Sequence, residues 1–233
     1  MTSLLDQPPI ASLLAELHAR SDRQARFSLP LQYLRRRARS WLLRKPMDWD
    51  KGPRRQFLSD KLVALDRDKA RLCYLLCRAT GARRVVEVGT SFGVSTIYLA
   101  AAVAENAGAA PNAGIVIGTE WEPAKAAAAR ANLDAAGLGH FAQIREGDVR
   151  DTLQDTGGPV DFVLMDIWVP MAKPALELLI PQLRPGAIVV ADNVTSFRRE
   201  YRDYLGLVRD ANGGFASTTL PYKGGLELSV WQP

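Results

Sequence analysis

The chain has 233 residues, of which 47% are apolar and 24% charged, the profile of a soluble globular domain. That is too apolar for a disordered tail, and no uncharged run approaches the ~18 to 20 residues that cross a bilayer. Residues 1–9 lack a basic start followed by an apolar core, so a cleaved secretion signal is not expected. Two cysteines, Cys73 and Cys77, cannot frame a disulfide-rich fold. Their spacing puts both on one helix face, where they read as small buried hydrophobes. A reduced, cytoplasmic protein with no membrane partner is the expectation.

The net charge of +5 is unevenly placed. Residues 1–60 hold 12 Lys/Arg against 6 Asp/Glu, whereas residues 61–233 hold 18 against 19. The excess gathers in Arg35, Arg36, Arg37, Arg39, Arg44, Lys45, Arg54 and Arg55. Such a cluster could meet nucleic acid or another polyanion. The favoured reading is a solvated helix face whose apolar side, Leu31, Leu34, Trp41 and Leu42, docks on the body or on a second subunit. A polyanion groove would interleave aromatics across the domain, and the body carries no such pattern.

Residues 1–60 therefore read as a basic helical extension, a lid or a dimerisation element, with Leu13, Leu14 and Leu17 at helical spacing. Residues 61–233 read as one α/β domain. Helices are expected over 66–79, 94–105, 123–136, 172–183 and 197–210. Strands are expected over 84–88, 114–119, 141–145, 160–165 and 187–191, with two closing runs at 215–220 and 226–231. Strands alternating with helices imply parallel pairing with helices on both faces. The last two runs are joined by only five residues, so they pair antiparallel as a hairpin.

The chemistry sits where strands end. Val85–Ser95 reads Val-Val-Glu-Val-Gly-Thr-Ser-Phe-Gly-Val-Ser, a strand entering a glycine turn and then a helix. Gly89 permits a tight turn, and Gly93 permits a ligand to approach the helix N-terminus. The spacing is not the three-glycine dinucleotide fingerprint. Glu120 ends the second strand, where an acid can accept both hydroxyls of a ribose. The dipole-complementing role before Pro123 suits Glu122 better. Trp121 could offer a face to adenine or could cap the sheet. Gly147-Asp148-Val149 follows the third strand, where a carboxylate could accept from an exocyclic amine. Together these residues suggest an adenosine-bearing ligand on the rim where open α/β sheets bind ligands.

The fourth and fifth strands run apolar into Asp166 and into Asp192-Asn193. Three hard oxygen donors on neighbouring strands suit Mg²⁺ or a similar divalent ion. Asp and Asn are also common loop caps. The metal reading is preferred because capping would not require both strands to end alike.

At these residues the sequence resembles the class I S-adenosylmethionine-dependent O-methyltransferases, in particular the metal-dependent catechol and caffeoyl-CoA group. The likeness runs from about Leu62 to the C-terminus, continuous over Lys69–Ser95 and closest over Val189–Val194. It implies a seven-stranded Rossmann-like sheet of five parallel strands plus the hairpin. It places Glu87, Gly89, Thr90, Ser91 and Ser95 around the methionine part of the cofactor, Glu120 on the ribose, and Trp121, Gly147, Asp148 and Val149 around the adenine. Asp166, Asp192 and Asn193 would hold the divalent metal, with Asp166 also near the cofactor's amino group and active in catalysis, and Trp168 would wall the substrate. Where the catechol enzymes carry a lysine base, this chain has Val169; Lys173 could supply the amine through a shifted loop. The implied reaction is methyl transfer to a hydroxyl of a small catechol-like or vicinal-oxygen acceptor by a homodimer. Two alternatives stand beside it. One is a metal-independent methyltransferase acting on an amine or isolated hydroxyl; the other is a cofactor-binding or RNA-associated protein using residues 35–39.

Overall fold

The computed structural model describes residues 3–28, 61–108 and 114–233. The arginine cluster at 35–55 and the apolar face of Leu31, Leu34, Trp41 and Leu42 lie outside the described residues. The elements in chain order are α1 (Ile10–Arg23), α2 (Arg67–Thr80), β1 (Arg84–Val88), α3 (Val94–Ala107), β2 (Ile115–Glu120), α4 (Pro123–Ala135) and β3 (Ala142–Glu146). Then follow α5 (Val149–Thr152), β4 (Val160–Met165), α6 (Ala172–Leu179), β5 (Leu183–Asp192), α7 (Arg202–Val208), β6 (Phe215–Leu220) and β7 (Leu226–Trp231). The strands form one seven-stranded sheet in the order β3-β2-β1-β4-β5-β7-β6. β1 to β5 pair parallel, and β7 pairs antiparallel with both β5 and β6. This is the parallel sheet closed by an antiparallel hairpin that the strand pattern implied, and the seven-stranded Rossmann-like sheet that the resemblance implied.

Alternation along the strands divides the core in two. Val85, Val116, Phe162, Leu164, Ile188 and Val190 face α1 to α4. Val86, Val88, Ile117, Val163, Met165, Val189 and Ala191 face α5 to α7. Successive strand residues point to opposite faces, and here both faces are covered, so the strands read as near-continuous β-branched runs. Cys73 and Cys77 are both buried as free thiols in the first of these cores.

Register positions the site. Val88 pairs with Thr119 and Met165, Glu120 with Glu146, and Met165 with Ala191. The residues just beyond those pairs, Gly89, Gly147, Asp166 and Asp192, therefore fall beside Glu120 on one rim.

Three expected elements differ. The helix expected to reach 183 stops at Leu179 and tightens into a 3-10 turn over Ile180–Gln182, because Pro181 has no N–H to continue it. β5 starts earlier than expected, at Leu183, and passes a register break before Ile188. The expected helix over 197–210 is helical only from Arg202. Ahead of it, the N–H groups of Thr195 and Ser196 both donate to Gly224 O, which ties this stretch to the hairpin loop.

The first part of the extension belongs to the core. Ile10, Leu14 and Leu17 are buried with the α2 and α3 side chains, and His18 Nε2 lies 3.1 Å from Tyr98 Oη. α3 is consequently buried on all sides rather than amphipathic. The end of α1 also holds the strap that precedes α2: Ala64 N–H donates to Ser21 Oγ and Leu62 N–H to Gln24 Oε1.

At the opposite end of the sheet, Asp161 ties β1, β4 and β5 together. Its Oδ2 accepts from Arg83 N–H and Arg84 N–H, each at 2.8 Å, and Oδ1 accepts from Arg184 Nε. Burial alone would raise its pKa, but the two backbone donors and Arg184 outweigh burial and lower it. Asp161→Asn is expected to cost about 2 kcal/mol near neutral pH. A lowered carboxylate pKa contributes stability above the unfolded value and loses it as pH falls through the folded one. The difference from wild type in chemical denaturation should therefore shrink below about pH 4.

Candidate active site

A cleft of about 460 Å³ opens along the rim. Gly89, Ser91, Glu120, Trp121, Gly147, Asp148, Val149, Asp166, Trp168, Asp192 and Asn193 all line it, so most of the residues singled out from the sequence are brought together. Thr90 and Ser95 face a smaller recess beside the start of α3, which Gly89, Ser91 and Asp166 share. Glu87 is fully buried beneath the rim. Lys173 is not a lining residue; its ammonium bonds Glu177 one turn on, on the exposed side of α6. The substitution at Val169 is thus not made good by Lys173 in this arrangement.

The turn after β1 is shaped by contact. Gly89 has φ +98°, and a Cβ there would lie 2.1 Å from the backbone oxygen of Asp166, so no side chain fits. Ser91 also has positive φ, at 51°, and its N–H donates to Glu120 Oε2 at 2.7 Å. Glu122 N–H donates to Oε1 of the same carboxylate at 2.8 Å. Glu120 is therefore locked in place by two backbone donors while each oxygen keeps acceptor capacity toward the cleft. Asp148 caps α5 through Arg150 N–H and takes two further hydrogen bonds from the Arg150 guanidinium.

Electrostatics concentrates on three neighbouring carboxylates. Burial pushes the Glu87 carboxyl up to about 7, and the neighbouring Ser95 and Thr96 hydroxyls offset this only in part. Thr96 Oγ1 donates to Oε2, while Glu87 Oε1 and Thr90 Oγ1 have no hydrogen-bond partner among the described residues. Asp166 is pushed up to about 8 by burial and by the charges of Asp192 and Glu87, with Lys69 opposing. Asp192 is raised by burial, against the pull of Lys69 and the Asn193 N–H. Lys69 was not foreseen as part of this site. Its Nζ lies 2.5 Å from Asp192 Oδ1, with both side chains almost completely buried. Asn193, at φ 61°, donates its backbone N–H to Asp192 Oδ1 and its side-chain amide to Oδ2.

The donor types at this end fit a hard divalent ion: two carboxylates and one amide, all lining the cleft. Among the described residues no group of three or more His, Cys, Asp or Glu side chains is arranged to hold a metal. An ion would rest on Asp166, on Asp192 and on the Asn193 amide, which would have to give up its hydrogen bond to Asp192 Oδ2 and turn its oxygen inward.

The methyltransferase-domain family pattern matches residues 86–194, the span from β1 to just past β5. A catechol O-methyltransferase of Niastella koreensis is 32% identical over 136 residues, 57% of this chain and 58% of that protein. A catechol O-methyltransferase of Mycobacterium tuberculosis is 37% identical over 133 residues, 57% of each chain. The match thus spans little more than half the length of these curated relatives. The O-methyltransferase TomG of Streptomyces achromogenes, solved in complex with SAM and involved in tomaymycin synthesis, superposes with a TM-score of 0.66 at 26% identity, covering 78% of this chain and 87% of that one. The chain carries a methyltransferase domain and is similar in sequence and fold to class I O-methyltransferases. The matched span contains Gly89, Glu120, Asp148, Asp166 and Asp192, the residues gathered at the cleft.

Glu87 gives a direct test of the buried charge. A carboxyl whose pKa is raised by folding binds protons more tightly in the native state, so stability falls as pH rises from about 4.5 to about 7. Glu87→Gln is expected to remove that decline, gaining on wild type by about 2–3 kcal/mol above pH 7 and matching it below about pH 4.5. Denaturant titrations across that range would read the difference directly.

Proposed function

We propose that the protein transfers the methyl group of S-adenosylmethionine to a hydroxyl oxygen of a small acceptor, catechol-like or otherwise bearing vicinal oxygens. The observation that carries this reading is the convergence of Gly89, Glu120, Asp148 and Asp166 from four strand ends onto one cleft. The donor is cationic at its sulfonium and its amino group, and the cleft floor is rich in carboxylate. No described residue donates a hydrogen bond to the Asp166 carboxylate, which leaves it free to accept from that amino group.

Each lining residue then has a physical task. Glu120, already fixed by two N–H groups, accepts from the ribose hydroxyls. Trp121, half exposed, and Val149 offer apolar surface to the adenine, with Asp148 at the ring edge. The start of α3, at Ser95, would offer its first N–H groups to the cofactor carboxylate, whereas Gly93 is not an approach for the ligand: it packs against Ala129 of α4, 3.1 Å from where its Cβ would be. Val63, Ile167, Trp168 and Met171 give the acceptor an apolar wall.

The reaction is an in-line displacement. The methyl carbon bonds to the acceptor oxygen as its bond to sulfur breaks, sulfur keeps the electron pair, and the hydroxyl proton leaves to solvent. Holding donor and acceptor in line is worth roughly 7 to 11 kcal/mol of barrier. A divalent ion held by Asp166, Asp192 and Asn193 would supply Lewis acidity that lowers the acceptor's pKa. With no lysine at position 169, that polarisation would ease loss of the hydroxyl proton without a side-chain base. The Lys69–Asp192 pair favours a second reading, an ion-independent transfer to an isolated hydroxyl or an amine.

Methylation of catechol followed by mass spectrometry tests the proposal. Product is expected with S-adenosylmethionine and Mg²⁺, lost on adding EDTA, and reduced about a hundredfold or more in Asp192→Ala. Turnover indifferent to both treatments would select the ion-independent reading. No heat on titrating S-adenosylhomocysteine into the wild type would defeat both.

A further inference from the structure

Three carboxylates stand at neighbouring strand ends: Glu87 in β1, Asp166 after β4 and Asp192 ending β5. β1 pairs with β4 and β4 with β5, so the chain cannot separate them. Glu87 is fully buried and Asp192 nearly so. Asp192 and Glu87 both press on Asp166 electrostatically, and like charges so placed oppose assembly of the rim.

Lys69 is the cation that answers them. α2 delivers it from the core side of the sheet, and it is absent from the cleft lining. Its ammonium lies 2.5 Å from Asp192 Oδ1 with 4% of the side chain exposed, and its charge also reaches Asp166. One turn further along α2, Cys73 lies within electrostatic reach of the same three carboxylates, so this helix face is packed beneath the rim. A surface lysine of an amphipathic helix would be expendable; a buried one with a single carboxylate partner is not.

We propose that Lys69 is a positioning residue: its ammonium fixes Asp192 through Oδ1 and balances the strand-end carboxylates, so that the cofactor rim is assembled before any divalent ion arrives. The inference rests on the reading of the cleft as an S-adenosylmethionine site. Ammonium and divalent ion are then two sources of the same compensating charge, one from beneath the rim and one from the cleft. Wild type needs only the first to receive the cofactor.

Calorimetric titration of S-adenosylhomocysteine into the full chain, in EDTA and again in excess Mg²⁺, tests this. Wild type is expected to bind with the same affinity in both. Lys69→Met is expected to bind roughly tenfold or more weakly in EDTA and to recover most of that loss in Mg²⁺, a response that simple loss of packing would not give. Should Lys69→Met fail to fold, Lys69→Met/Asp192→Asn removes both charges and is expected to fold and to bind S-adenosylhomocysteine in EDTA close to wild-type affinity. Wild-type affinity for Lys69→Met in EDTA, a defect that Mg²⁺ leaves unchanged, a double variant that does not recover, or a wild type that needs Mg²⁺ to bind would each overturn the role. A wild type that binds no S-adenosylhomocysteine in either condition would overturn the cofactor reading, and this inference with it.

Discussion

The density of negative charge at the strand ends is the constraint around which this molecule is arranged. Parallel pairing of β1, β4 and β5 places Glu87, Asp166 and Asp192 next to one another whether or not their charges agree. Burial of Glu87 and Asp192 keeps water from screening them, and the pKa values of Glu87 and of Asp166, just after the strand between, rise toward neutrality. A site under this strain favours a cationic visitor over a neutral one. The proposed donor, S-adenosylmethionine, has two positive centres, its sulfonium and its amino group, and suits such a field.

The backbone around that charge is held rigidly by close contact. Gly89 touches the Asp166 carbonyl so closely that a methyl group could not be inserted. The N–H groups of Ser91 and Glu122 close on opposite oxygens of Glu120. Both arrangements are held by contacts within the protein itself, so under the proposed reading this part of the cleft requires little reorganisation on binding. Affinity then depends on the groups presented rather than on the entropy of ordering loops.

Much of this was legible in the sequence because it follows from local rules. β-Branched runs ending in Gly89, Glu120, Gly147, Asp166 and Asp192 reveal both the strands and their common rim, since parallel strands align their C-terminal ends. The long-range pairings were not legible. Lys69 reads as an ordinary charged position on an amphipathic helix, and nothing in its neighbours marks the carboxylate it meets 123 residues later. Lys173 looked equally available, but Glu177 lies one turn away and takes its charge. The helix expected over 197–210 forms only from Arg202, and the chain just ahead of that stretch is tied through the N–H groups of Thr195 and Ser196 to Gly224 in the hairpin loop. In each case the chain meets a partner distant in sequence or facing the same side, and periodicity carries no record of such partners.

The N-terminal helix shows how a segment outside the sheet becomes part of the site. α1 buries Leu14 and Leu17 against the core, and its last turn then uses polar side chains for a second purpose. Ser21 and Gln24 accept from the backbone of Ala64 and Leu62, fixing the strap that carries Val63, Ala64 and Leu65 along the cleft. Leu62 and Leu65 are buried as anchors on either side, which leaves Val63 projecting, 54% exposed. Trp168 and Met171, after β4, line the same cleft. In the proposed reading one part of the acceptor wall is thus set by the position of α1 and another by the β4–α6 connection. Neither is among the strand-end residues proposed to hold the cofactor. Changes in α1 packing or in the length of that connection would therefore alter which acceptor fits while leaving the strand-end residues in place.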